Sequence, residues 1–152
     1  MKTFLITITI FLLLQGCTAR NAFDKFNISE NRAKSEDSIL SSKIYNKEKV
    51  NGIISVVYLN DIFPERYKGN EYFYVSLYNK EKKEPLLFYL NGKEAFEIEE
   101  LNANNEFNTL TSLKAKWQKH YLINFTQQGK SLTFSTKNSL FSSDKIVFKK
   151  AD

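Results

Sequence analysis

With a single cysteine, Cys17, the 152-residue chain has no partner for an internal disulfide and no set of thiolates for a zinc site. A single histidine, His120, makes any histidine-based metal site depend on carboxylates that the fold would have to bring in. Two prolines and five glycines exclude collagen-like and low-complexity chains. No P-loop, GxGxxG turn or GxSxG elbow occurs, so nothing points to a nucleotide, a cofactor or an activated serine. Charge is also modest: 22 Lys+Arg against 17 Asp+Glu give +5, too mild for a nucleic-acid partner. Aromatic carbon is abundant instead, with 13 Phe and 8 Tyr in a chain that is 42% hydrophobic, enough for a core.

The N-terminus has the proportions of a secretory signal. Lys2 provides the positive start, and residues 4–14 form an apolar run diluted by Thr7 and Thr9. That run is too short to span a bilayer, which needs about 20 apolar residues. It ends in Leu14-Gln15-Gly16-Cys17, where a plain signal would end in small residues before a neutral cleavage point.

This ending resembles the lipobox of bacterial lipoproteins, with Leu at −3, Gly at −1 and the required Cys at +1; Gln15 departs from the usual small or β-branched −2 residue. The resemblance covers residues 1–17. It implies a signal peptide over 1–16, a diacylglyceryl group and palmitate-type acylation on Cys17, and partnership with a membrane through those chains. Two or three acyl chains hold firmly where one binds only marginally. Thr18, rather than Asp, follows the Cys, which implies the outer membrane, with the chain facing the periplasm.

Residues 17–49 are rich in Asn, Ser, Lys and Glu and show no period of two, so a polar tether is expected there. As a flexible coil of about 30 residues it would reach about 30 Å. From Val50 the period changes, and residues 50–152 are expected to form the folded domain. "EYFYVSLYN" places Phe73, Val75 and Leu77 on one face and Tyr72, Tyr74 and Tyr78 on the other. "LLFYL" and "KEAFEIE" flank Asn91-Gly92, the strongest short hairpin signal, since both central residues of a type I′ turn need positive φ. "KHYLINFT", "SLTFST" and "KIVFK" alternate in the same way, whereas "TLTSLKAKW" fits neither period. Seven or eight short antiparallel strands at this spacing predict an all-β sandwich of about 100 residues. "YLINFTQQGKSLTF" resembles the late hairpin of immunoglobulin and fibronectin type III domains, without the paired cysteines of antibody domains. Together with the lipobox, "VVYLNDIFPERYKGNEYFYVSLYN" resembles small lipoproteins of epsilon-class proteobacteria with an immunoglobulin-like β-sandwich; that likeness implies no activity and no site residues.

Few side chains suggest chemistry. His120, in "KWQKHYL", has Lys116 and Lys119 close by to disfavour its charged form, and reads most simply as a partly exposed strand residue. Glu97 and Glu99 share a strand face and could flank a cation or a sugar, or form a solvated face. The surface candidate is the row Tyr72, Tyr74 and Tyr78, either packed at a core or rim, or forming a platform for a protein or glycan of the envelope. No catalytic, metal or cofactor residues are assigned. The expected function is therefore a lipid-anchored envelope lipoprotein acting as a non-enzymatic binding or scaffolding module. Two alternatives are an inhibitor lipoprotein, such as those that block lysozyme, and a secretion-system lipoprotein resembling the small type VI outer-membrane lipoprotein.

Overall fold

The computed structural model describes residues 34–35, 37–81, 84–111 and 117–150. The signal segment and Cys17 lie outside these residues. The folded domain begins earlier than the hydrophobic pattern indicates. β1 (Leu40–Asn46) pairs antiparallel with β2 (Lys49–Tyr58), from Leu40↔Val56 to Asn46↔Lys49, with a register shift at Ile44/Tyr45. Residues 40–49 are thus a sheet hairpin and not tether. The reason they look like tether is that β1 gives the core little beyond Ile44, fully buried, and the partly buried Leu40. Its other residues are Ser, Lys, Tyr and Asn, so no apolar alternation is visible.

The remaining strands are β3 (Glu71–Asn79), β4 (Leu87–Leu90), β5 (Lys93–Glu94), β6 (Glu97–Leu101), β7 (Lys119–Phe125), β8 (Ser131–Lys137), β9 (Ser142–Ser143) and β10 (Ile146–Lys149). All pair antiparallel in the order β5-β4-β8-β9-β1-β2-β3-β7-β6, and β10 also pairs with β8. The protein is all-β, ten strands in one curled, half-barrel sheet with few helices. The count exceeds seven or eight partly because β5 and β9 have two residues each, too short to leave a sequence period. The Asn91-Gly92 turn joins β4 to β5 with φ of 50° and 80°, as a type I′ hairpin requires. Gly52 has a different role. A Cβ there would sit 2.2 Å from the Tyr78 carbonyl oxygen, so the β2–β3 backbones can approach only with glycine at this place.

The curl brings two arms of the sheet face to face. Phe73 and Val75 of β3, Ile123 and Phe125 of β7, and Ile54 and Val56 of β2 meet Phe88 and Leu90 of β4, Leu132 and Phe134 of β8, and Phe148 of β10. The Phe73 ring lies 5.2 Å from Phe134 and 5.5 Å from Phe148, centroid to centroid. Burying each such ring is worth about 2–3 kcal/mol.

A second apolar cluster covers the outer face of β2 and β3. Val57 and Tyr74 pack there under Leu59 and Ile62 of helix α1 (Leu59–Ile62), Tyr67, and Phe107 and Leu110 at the 3₁₀ turn Glu106–Thr109. The Asn105 side chain accepts from the Phe107 N–H to cap that turn. The Ser35 hydroxyl donates to the Leu110 carbonyl at 2.6 Å, fastening residues well ahead of Val50 to the same layer.

Candidate functional site

The strand period divides β3 as its alternation implies, with Phe73, Val75 and Leu77 in the inner core and the tyrosines on the other face. That outer face is not one open surface. Tyr74 is 1% exposed, its ring 5.3 Å from Phe107 and its hydroxyl 2.8 Å from His120 Nδ1. Tyr72 is partly buried against Tyr67, at 4.8 Å. Tyr78 alone of the three is exposed, paired across β2 with the exposed Ile53. The physical cause is the outer layer, which no local pattern in "EYFYVSLYN" announces.

His120 is buried rather than partly exposed, and burial lowers its proton affinity, so the imidazole is neutral near pH 7. The buried Ser76 stands opposite it in the β3–β7 register with a hydroxyl that has no hydrogen-bond partner among the described residues. Nδ1 of the imidazole meets a phenol where a nucleophile's base would meet a carboxylate. Among the described residues no group of three His, Cys, Asp or Glu side chains could hold a metal. Glu97 and Glu99 stand exposed on β6, with Glu97 3.5 Å from the Asn124 amide.

Sequence reasoning missed a buried carboxylate. Glu71 is 1% exposed and accepts from the Tyr58 hydroxyl at 2.6 Å, the Gln128 N–H at 2.7 Å and Lys150 Nζ at 2.6 Å. These partners come from β2, the β7–β8 connection and the chain just past β10, so no sequence window contains them. Burial first, and then the hydrogen bond to this carboxylate, push the Tyr58 phenol well above its ordinary range. With all its partners supplied internally, the cluster clasps one end of the sheet.

One opening among the described residues lies between the two ends of the curled sheet. A cavity of about 380 Å³ runs along this seam, lined by Leu77, Leu86, Phe88, Ile98 and Tyr121 with the Glu100–Lys119 pair beside them. Lys119 Nζ donates to both Glu100 carboxylate oxygens at 2.9 Å, which raises its proton affinity and keeps it charged. Burial raises the Tyr121 phenol, outweighing the nearby Lys119 charge, which lowers it, so its hydroxyl stays protonated. Ile98 is 41% exposed and points into the seam, and Phe96, two residues earlier in the chain, is 73% exposed. Residues 94–106 carry Glu94, Glu97, Glu99, Glu100 and Glu106 and no Lys or Arg, a local acidity inside a basic chain. Its volume falls at the lower end of the range for ligand pockets, roughly 300–1,000 Å³, and its lining is mostly apolar with a few polar groups, as such pockets have. No family profile, curated protein or solved structure matches the chain.

Proposed function

We propose that this chain is a bacterial lipoprotein, anchored in the outer membrane through acyl chains on Cys17 and facing the periplasm, that acts as a non-enzymatic binding or scaffolding module. Its domain is best read as an immunoglobulin-like β-sandwich whose two layers are the facing arms of the curled sheet. The aromatic contacts between β3 and β8 support that description, since Phe73 and Phe134 meet across the interior as the inner faces of two layers do. The observation that carries the functional reading is Cys17 directly after the apolar run and Gly16. An open seam with an apolar lining adds a place for a partner. The acidity of residues 94–106 favours one second reading, an inhibitor lipoprotein directed at a basic enzyme.

The test is Cys17→Ser in cells fed a fatty-acid probe. The wild-type chain should carry the label and sediment with the outer membrane, and the variant should lose both. Unchanged labelling and fractionation would end the anchor reading.

A further inference from the structure

Strand order in the sheet ends at β6, so among the described residues the outer backbone N–H and C=O groups of β6 face no strand. Such an edge is a template for another extended chain, and folded proteins commonly blunt it with charged side chains, lysine above all, with proline or with a covering element. β6 has the sequence EIEEL, with neither Lys nor Pro and with charges of one sign only, so it repels an acidic strand but not a basic one. Ile98 and Glu100 point inward to line the seam cavity. Glu97 and Glu99 therefore point to the opposite face, by strand alternation, and neither makes an ion pair among the described residues.

We infer that the β6 edge takes up an extended segment of another polypeptide by strand addition, and that this segment alternates apolar and basic residues. The inference rests on the binding-module reading and specifies its ligand. Backbone hydrogen bonds to β6 supply affinity without regard to sequence, and the side chains supply the choice. On the inner face, the residues of the added strand beside Ile98 enter the cavity against Leu77, Leu86 and Phe88, which requires them to be apolar. On the outer face they lie beside Glu97 and Glu99, which favours Lys or Arg, as opposite charges attract across neighbouring strands. The same glutamates oppose pairing of β6 with β6 of a second copy, because that would bring like charges together. Charge thus selects a basic partner strand over self-association.

The test uses the full chain in detergent and a fluorescent peptide of roughly seven residues alternating Lys and Val, long enough to cover β6. Saturable binding is expected by anisotropy. Reversing charge with Glu97→Lys and Glu99→Lys should weaken it by about tenfold or more, and the double variant should gain affinity for a peptide alternating Glu and Val. Ile98→Trp, which fills the cavity without altering charge, should also weaken binding. Methylating alternate peptide nitrogens should abolish it, since these donors complete the ladder. Equal binding of the methylated peptide would overturn strand addition in favour of charge attraction alone. No binding of the Lys/Val peptide would overturn the inference outright. Self-association of the chain relieved by a β6 variant would assign the edge to a second copy, which also overturns it. Any of these failures leaves the anchored module standing, because fatty-acid labelling of Cys17 decides that reading separately.

Discussion

Truncating Tyr74 to alanine should cost nearly as much stability as truncating Phe73, although tyrosine normally tolerates water and phenylalanine does not. Phe73 is fully buried with the rings of Tyr58, Phe125, Phe134 and Phe148 between 5.1 and 5.7 Å away. Removing its ring leaves a cavity among side chains that cannot all collapse inward, a loss of about 4 kcal/mol. Tyr74 is buried to the same degree by Phe107, His120 and the outer layer, so Tyr74→Ala should lose about 3 kcal/mol. Tyr74→Phe keeps the ring and drops the bond to His120, which should cost about 1 kcal/mol. Urea unfolding measures all three. With a slope near 2 kcal/mol per molar, the midpoints should fall by about 2, 1.5 and 0.5 M. If Tyr74→Ala moved the midpoint no further than Tyr74→Phe while Phe73→Ala moved it about 2 M, the outer layer would be a loose cover and the two-core description would be refuted.

Gly92→Val should lose roughly 1–3 kcal/mol by thermal or urea unfolding, since φ of 80° strains a β-branched residue although the space around it is open. A chain starting at Lys47 lacks β1, and with it Ile44 and the link between β2 and β9, so it should show no cooperative transition by calorimetry. Lys150→Ala leaves the buried Glu71 carboxylate without its cation and should cost about 3 kcal/mol, read from the melting temperature against wild type. Acid should destabilise the domain through His120. Burial lowers its folded-state pKa below the ordinary 6.5, so the unfolded chain binds the proton better and stability falls as pH drops below that value. His120→Phe should flatten this part of a stability profile measured between pH 7 and 5.

The sheet was legible where one face is buried and the other wet. β3, β7, β8 and β10 show their alternation in the sequence, and Asn91-Gly92 gives its turn because φ at both positions is a local property. β1 was hidden because it contributes little to the core beyond one fully buried residue. For the tyrosine row, a period of two reports which face a side chain is on but not what covers that face. The cover of Tyr74 comes from Phe107 and Leu110, far along the chain. The partners of Glu71 and the seam beside Ile98 are products of strand order, a long-range property that composition and spacing do not encode.

We propose that the anchored chain receives a partner at the seam and not on the tyrosine face. A photo-crosslinking diazirine analogue of an aliphatic side chain, close to isoleucine in size so that the cavity stays open, placed at position 98 in one strain and at position 78 in another, in cells producing the acylated protein, tests it directly. Both sites are exposed, and they sit on opposite faces of the sheet. Irradiation should give a discrete adduct from position 98, and none from position 78. An adduct from position 78 alone, or from neither, would contradict docking at the seam.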